Sequence, residues 1–163
     1  MNLLADTEMI KLSNLADYAV ELMCCIALKP ADVHSSADLA DFTRIQVPTV
    51  SKILGTLVRA GLLTSHRGFN GGFSLAAPAD KISITNIIEA VDGPVQLTNC
   101  LGEGTSDCDR ISSCGTRSQW YRINEAVKAA LGSVLLSHMI ESVPDFIGDG
   151  TADDLPLISR LIN

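Results

Sequence analysis

The chain has 163 residues, of which 47% are hydrophobic, so it can bury a core in one or two small domains. Aromatic residues make up only 4% and include a single Trp120, which argues against the base-stacking platforms of single-strand-binding proteins. The formal net charge of −7 also argues against nucleic acid, unless the charges are unevenly distributed along the chain.

The first predicted helix runs from about Ser13 to Leu28, because Ser13 is a good N-cap and Pro30 prevents continuation. Its apolar stripe consists of Leu15, Tyr18, Ala19, Leu22 and Ile26. Cys24 and Cys25 lie within the apolar run of this helix, so we expect both to be small core residues.

Two further short helices follow. One is predicted from Ser35 or Ser36 to about Phe42, with a serine capping its N terminus. The next begins near Pro48, whose missing N–H costs nothing in the first turn, and ends at Gly61. Two short helices joined by a tight turn, the second amphipathic and basic, are typical of a helix-turn-helix motif.

A two-stranded hairpin is predicted next, because apolar runs at Leu62–His66 and Phe73–Leu75 are joined by a glycine-rich tip that carries Arg67. The glycines alone would equally fit a flexible surface turn. After a helix-turn-helix, however, such a hairpin indicates a winged helix. The predicted fold is therefore mainly α with a small β-hairpin, and residues 10–82 form a winged helix-turn-helix domain for DNA binding.

The charges are unevenly distributed. Between Phe42 and Ala79 there is no Asp or Glu, whereas the basic residues there are Arg44, Lys52, Arg59 and Arg67. A local basic face can bind phosphates in an acidic protein, because counterion release and screening act over short distances. The sequence therefore predicts that this part of the chain binds nucleic acid.

Beyond the wing, residues 83–115 are predicted to form a connecting helix, from about Thr85 to Val91, and a cysteine-containing loop. A long helix then runs from about Thr116 to Ser142. Its apolar stripe consists of Trp120, Ile123, Val127, Leu131, Val134 or Leu135, and Met139. We expect residues 116–142 to pair with their copy in a homodimer, because a helix of roughly 37 Å exceeds what so small a domain can bury; packing on its own domain is the alternative.

Residues 143–163 are predicted to form an acidic tail with a last helical turn at residues 155–162.

The N-terminal residues include Asp6 and Glu8 and lack a basic segment before an apolar run, and no stretch is long enough to span a membrane. We therefore expect a cytoplasmic protein with no membrane partner. The sequence has no nucleotide-binding glycine motif, and its histidines, His34, His66 and His138, are scattered. An enzyme with a small-molecule substrate is therefore not expected.

Cys100, Cys108 and Cys114 occur with the spacing Cys-x7-Cys-x5-Cys. In a reducing cytosol, closely spaced cysteines are more often metal ligands or redox-active than disulfide-bonded. Structural zinc usually takes paired ligands two residues apart, whereas wider, small polar gaps suit an iron–sulfur cluster. Three thiolates leave one ligand position to another residue type or a small molecule. A zinc-stabilised DNA-binding protein and a redox carrier are the alternatives.

Several segments resemble the small dimeric bacterial winged-helix regulators typified by IscR, NsrR and RirA, over about Ile10 to Glu141. They are KLSNLADYAVELM, PTVSKILGTLVRAGLLTSHRGFNGGFSL, ISITNIIEAVDGP, and the cysteines followed by TRSQWYRIN. LADYA, PTVSKIL and RSQWYRIN are most similar to the subgroup that regulates the SUF iron–sulfur assembly operon. The cysteine spacing also matches the iron-responsive RirA type.

The resemblance implies that the three cysteines hold a 4Fe-4S or 2Fe-2S cluster and that a homodimer binds double-stranded operator DNA. It places Thr49, Ser51 and Lys52 in the major groove. Arg67 would enter the minor groove from the wing, with Asn70 beside it as a further DNA-binding candidate.

The fourth cluster ligand is open. In IscR a histidine three residues after the third cysteine completes the cluster, but Arg117 stands there in this chain, and a guanidinium stays protonated. In nitric-oxide-sensing relatives the ligand is an acid on the first helix of the other subunit, a position that corresponds to Asp17. Glu21 is the nearest substitute, and Asp17 is alternatively a solvated helix residue.

The resemblance thus implies a transcription regulator, a repressor of iron–sulfur cluster assembly or of iron and stress genes, whose operator affinity depends on its cluster. Nitric oxide, oxidant or iron acting through cluster loss are alternative signals. Whether the holo or the apo form binds DNA is not determined by the sequence.

Overall fold

The computed structural model describes residues 11–101, 108 and 112–141. Its helices are α1 (Asn14–Leu28), α2 (Ser36–Thr43), α3 (Val47–Arg59), α4 (Ile84–Asp92), α5 (Arg117–Ser133) and α6 (Leu136–Ile140). Its strands are β1 (Leu63–His66) and β2 (Gly72–Leu75), and short 3₁₀ turns occur at Ala79–Lys81 and Asn99–Leu101. The predicted fold class, mainly helical with a small antiparallel hairpin, is confirmed.

The starts of α1 and α2 follow from side-chain caps. The Ser13 hydroxyl accepts a hydrogen bond from the amide of Ala16 at 3.0 Å, and the Ser35 hydroxyl accepts one from the amide of Asp38 at 3.1 Å. The Ser35 hydroxyl also donates to the Asp38 carboxylate at 2.7 Å. Each cap satisfies an amide that has no partner within its helix, so the predicted starts are confirmed.

The end of α3 is set by Gly61, as predicted. Gly61 has a φ of +74°, a conformation that side chains other than glycine rarely adopt. Its amide donates to the carbonyl of Val58, and the amide of Leu62 donates to the carbonyl of Leu57, both at 3.0 Å. This pair of bonds is the Schellman arrangement, and it turns the chain from α3 into the wing.

The hydrophobic core lies where α1, α3, α4 and α6 meet. The largest fully buried side chains are Leu22, Met23, Ile26, Val50, Ile53, Leu54, Leu57, Ile82, Ile87 and Leu136. All except Ile82, which lies just before α4, lie on these helices, and each contributes about 1.5–3 kcal/mol by leaving water. The core therefore holds α3 rigidly by its inner face and leaves its outer face exposed.

Cys24 and Cys25 belong to this core, as predicted, with exposed fractions of 7% and 9%. Burial, and secondarily the charge of Glu21, raises the pKa of Cys24 to about 11 and that of Cys25 to about 12. Both therefore remain neutral thiols near neutral pH.

The wing is a regular antiparallel hairpin that is also attached to the α1–α2 connection. Its register runs from Leu63 opposite Leu75 to His66 opposite Gly72, so the second strand begins one residue earlier than predicted. His34 and Phe73 exchange two backbone hydrogen bonds of 2.9 Å. The second strand is therefore hydrogen-bonded to the first strand on one edge and to His34 on the other.

The single long helix predicted from Thr116 to Ser142 is wrong in its extent. The helix α5 ends at Ser133, and Val134 and Leu135 adopt extended conformations before α6 begins. Ser142 itself lies outside the described residues. The predicted apolar stripe is therefore divided between two helices.

Burial of Leu136 explains this break. Leu136 has no exposed area and packs in the core beneath α1. The amide of Ile84 donates to the carbonyl of Val134 at 2.9 Å, and the amide of Leu136 donates to the carbonyl of Ile82 at 2.8 Å. A straight continuation of α5 would lose both bonds and expose Leu136, so tertiary packing overrides the helical periodicity.

The α5 helix is exposed along much of its length. Trp120, Tyr121 and Ile123 keep 40%, 59% and 46% of their areas exposed, whereas Asn124 is buried. Trp120 and Ile123 belong to the apolar stripe that the sequence predicts to pair with a second copy, and an exposed apolar face of this kind suits a second helix.

The segment after α4 is attached to two helices. Asn124 in α5, only 5% exposed, accepts a hydrogen bond from the amide of Leu97 at 3.0 Å and donates one to the carbonyl of Val95 at 3.1 Å. Glu89 in α4 accepts a hydrogen bond from the amide of Val95 at 3.3 Å and pairs with Lys128 of α5 at 3.1 Å. These bonds fix the chain immediately before the first loop cysteine.

Other predicted features lie outside the described residues, namely the acidic tail at 143–163 and its helical turn at 155–162. Among residues 11–101 and 112–141, no helix is both long and apolar enough to cross a membrane.

We predict that Asn124→Ala lowers the free energy of unfolding by roughly 1–3 kcal/mol, because the partners on Val95 and Leu97 lose their hydrogen bonds. Hydrogen exchange of the Leu97 amide should also accelerate. Chemical denaturation and exchange measured by NMR test both effects, with exposed Glu125→Ala as the control on the same helix. Unchanged exchange at Leu97 in Asn124→Ala would contradict this attachment.

Candidate nucleic-acid interface and cysteine site

The outer face of α3 carries the residues predicted to contact DNA. Ser51 and Lys52 are exposed and Thr49 is half-buried, whereas Val50 and Ile53 point into the core. The first turn of α3 contains no acidic residue, so its positive helix end is not neutralised there. Hydroxyls, an ammonium group and a helix N terminus on one surface suit a phosphate backbone and base edges.

Two more basic residues of the acid-free run lie at the two ends of α3. Arg59 lies two helical turns after Lys52 on the same face of α3. Its Nη2 donates a hydrogen bond to the Thr56 hydroxyl at 2.8 Å. Arg44 is exposed in the turn before α3, in a left-handed conformation with a φ of +61°. Both arginines lie within residues 42–79, the segment without Asp or Glu that the sequence predicts to bind nucleic acid. The run's four basic residues are all exposed, as a basic face requires.

The tip of the wing carries the other two DNA-binding candidates. Arg67 and Asn70 are both exposed, and the amide of Gly71 donates to the carbonyl of Gly68 at 3.0 Å to close the turn between them. The wing and the outer face of α3 are consecutive in the chain and joined by the tight turn at Gly61. Each element presents a basic side chain to solvent, Lys52 on α3 and Arg67 on the wing.

The cysteines of the loop are thiols rather than disulfides. Cys100 is 6% exposed in a 3₁₀ turn that contacts α5, and Cys108 and Cys114 are half-buried. Cys114 lies three residues before Arg117, the first residue of α5. Oxygen–sulfur contacts accompany two of them, from Thr98 Oγ1 to Cys100 Sγ at 3.2 Å and from Thr116 Oγ1 to Cys114 Sγ at 3.5 Å.

The donor chemistry of this segment fits a thiophilic metal centre. Three thiols lie within one loop, and the buried one follows a backbone attached to α4 and α5. Within residues 11–101, 108 and 112–141, however, no three Cys, His, Asp or Glu side chains are close enough to form a metal site. The chain's described part therefore does not bring the three cysteines and Asp17 together.

Asp17 and Glu21 differ in environment although both lie on α1. Asp17 is exposed in the first turn, whereas Glu21 is half-buried. Burial, followed by the negative charge of Asp17, raises the pKa of Glu21 above its ordinary value. This raised pKa makes Glu21 a poorer carboxylate ligand than an ordinary exposed glutamate, because its ionised form is disfavoured.

The N terminus of α1 also contacts the end of α4. The Ser13 hydroxyl donates a hydrogen bond to the Asp92 carboxylate at 2.7 Å. Asp92 ends α4, directly before the segment that leads to Cys100. The first helix is therefore bonded to the end of α4, which precedes the segment leading to Cys100.

Comparisons with known proteins agree with this arrangement. The family model Rrf2, described as an iron-dependent transcriptional regulator, matches residues 12–142. The Neisseria meningitidis protein NMA1593, an HTH-type transcriptional regulator by name, is 33% identical over 144 residues, which cover 87% of this chain and 94% of the relative. The HTH-type transcriptional regulator IscR of Vibrio campbellii is 31% identical over 138 residues, covering 81% of this chain and 78% of the relative.

The fold is similar to that of solved regulators. The structure of CymR, the global cysteine regulator of B. subtilis, has a TM-score of 0.63 and 28% identity, and the match covers 80% of this chain and 96% of CymR. These relatives are transcription regulators rather than enzymes. With a winged helix whose basic face is exposed and a family match over most of its length, the chain belongs to the Rrf2 family of transcriptional regulators.

Proposed function

We propose that this protein is a cytoplasmic repressor of iron–sulfur cluster assembly or of iron and stress genes, and that an iron–sulfur cluster held by Cys100, Cys108 and Cys114 controls its operator affinity. The observation that carries the proposal is the attachment of the cysteine segment to the helices that support the DNA-binding face. The likeness to IscR, a regulator of the same family, supports it.

The DNA contacts follow from the exposed surface. The α3 helix would lie in the major groove, with Thr49, Ser51 and Lys52 near bases and phosphates. The wing would place Arg67 and Asn70 at the adjacent minor groove, where a narrow A/T-rich groove strengthens the attraction for an arginine. Lys52 and Arg67 are positively charged, and the segment from Phe42 to Ala79 that contains them has no acidic residue to offset that charge.

A homodimer fits the exposed face of α5. Trp120, Tyr121 and Ile123 present apolar area that the described part of the chain leaves uncovered. Pairing α5 with its copy would bury this area and place two α3 helices at two half-sites of a palindromic operator. A chain of this size gains both affinity and specificity from such a doubled contact.

The chain's own residues offer a route between the cysteine loop and the DNA-binding face. Asn124 and Glu89 hold the segment before Cys100, and Asp92 at the end of α4 contacts Ser13 at the start of α1. The α1 helix packs against α3 and the wing. A coupling of about 1–3 kcal/mol along this route would change operator affinity roughly 5–150-fold.

The cluster, when bound, would supply iron coordination that is sensitive to oxidants, nitric oxide or iron supply. Asp17 of the partner subunit is our candidate for the fourth ligand, because Asp17 is exposed and Arg117 cannot serve. A carboxylate supplied across the dimer would join the loop of one subunit to the first helix of the other.

The cysteines provide the first test. Replacing Cys100, Cys108 or Cys114 by Ala should abolish visible absorbance and lower iron and sulfide content after anaerobic reconstitution, because each removes one thiolate. Cys24→Ala should retain both, since Cys24 is a core residue. Full iron and sulfide in any loop variant would remove that cysteine from the ligand set, and a colourless zinc-containing wild type would favour the zinc alternative.

The DNA contacts are tested by Lys52→Ala and Arg67→Ala. Lys52→Ala should weaken binding to all sequences and lower the slope of log affinity against log salt by about 1, because one phosphate contact is lost. Arg67→Ala should reduce the preference for A/T-rich minor-groove positions. Lys81→Ala, an exposed lysine that pairs with Asp80 outside the acid-free run, is the control. Binding of both test variants equal to the wild type would contradict these assignments.

The proposed fourth ligand is tested by Asp17→Ala. The dimer and the apo fold should persist, because Asp17 is exposed, while cluster loss to a chelator accelerates and DNA binding no longer responds to the cluster. Visible absorbance decay, size-exclusion chromatography and DNA titration of holo and apo forms measure the three properties. Asp41→Ala, an exposed acid on α2, is the matched control. Normal cluster stability in Asp17→Ala would point instead to Glu21, water or a small thiol.

A further inference from the structure

Phe69 is the most exposed large apolar side chain in the described part of the chain. It keeps 105% of its reference area exposed, and the next such side chain, Tyr121, keeps 59%. Phe69 occupies the second position of the four-residue turn from Gly68 to Gly71. Its ring does not pack in the core. Burial of its apolar area can therefore stabilise only a contact with another molecule.

The turn that carries Phe69 is held firmly. The hydrogen bond from Gly71 to Gly68 closes it, and the backbone pairing of His34 with Phe73 attaches the hairpin to the α1–α2 connection. A Cβ at Gly72 would lie 2.4 Å from the carbonyl oxygen of His34, so only glycine allows this close approach. The ring therefore projects from a supported base.

The residues beside Phe69 favour DNA as the contacting molecule. Arg67 and Asn70 flank it on the same tip, and both are exposed. No acidic residue occurs between Phe42 and Ala79, so α3 and the wing themselves carry only basic or neutral side chains. A protein partner with an apolar pocket would gain little from this charge, whereas the minor groove is narrow, negative and lined by apolar sugar edges.

We propose that Phe69 acts as an apolar wedge that enters the minor groove and partly unstacks one base step of the operator. The proposal rests on the proposed DNA-binding function and adds a contact to it. Unstacking is least costly at flexible pyrimidine–purine steps, so the wedge would select such a step beneath each wing. Arg67 would hold the neighbouring phosphates or groove floor, and specificity would arise without a hydrogen bond from the ring.

The test uses the full-length protein and duplex DNA that the wild type selects from a randomised library. The fluorescent base 2-aminopurine is placed at successive positions beneath the wing, because its emission rises when stacking is lost. The wild type should raise emission at one step, and Phe69→Ala should lose this signal and bind about 10-fold more weakly. Phe69→Leu, which keeps apolar bulk, should retain part of both effects.

The outcomes separate this inference from the proposed function. Phe69 makes no core contact, so equal thermal melting of Phe69→Ala and wild type establishes that folding is unchanged. If the wild type selects no sequence, the proposed function fails. If the wild type selects DNA and Lys52→Ala weakens binding, but Phe69→Ala matches the wild type in affinity and emission, only the wedge is overturned. Weaker binding by Phe69→Ala with no emission change in the wild type also overturns it, since the ring would then pack against sugars without unstacking.

Discussion

The burial of Leu136 constrains the path of α5 and α6. Because Leu136 sits in the core and its amide bonds to the carbonyl of Ile82, the chain must return to the winged helix immediately after α5. Asn124 meanwhile joins the middle of α5 to the segment that follows α4. The two attachments set the direction of α5 relative to α3. An apolar face on α5 is therefore presented at a defined angle to the proposed DNA-binding surface.

Local signals in the sequence were sufficient for most of the winged helix. Ser13, Ser35 and Gly61 act through hydrogen bonds that join residues three to five positions apart, so their effect is visible without knowledge of the tertiary structure. The break at Val134 is different in kind. Its cause is a contact between Leu136 and residues about fifty positions earlier, and helical spacing continues through it. Periodicity alone therefore predicted one helix.

The candidate site divides in the same way. Exposure of Ser51 and Lys52 follows from the period of α3, because the opposite face fills the core. Asn124 was missed because a buried amide that bonds two backbone groups has no pattern in the sequence. The relation of Asp17 to Cys100 could not be derived from sequence either, because a ligand contributed by a second subunit depends on how two copies associate.

The neutral thiols of Cys24 and Cys25 have a consequence for chemical selectivity. With a pKa of about 11, roughly one Cys24 side chain in ten thousand is a thiolate at neutral pH. Thiolates, not thiols, react with peroxide, disulfides and thiophilic metal ions. Burial therefore makes Cys24 and Cys25 much less reactive than ordinary thiols in the folded protein. Unfolding would expose both side chains, return their pKa values to the ordinary range and remove this protection.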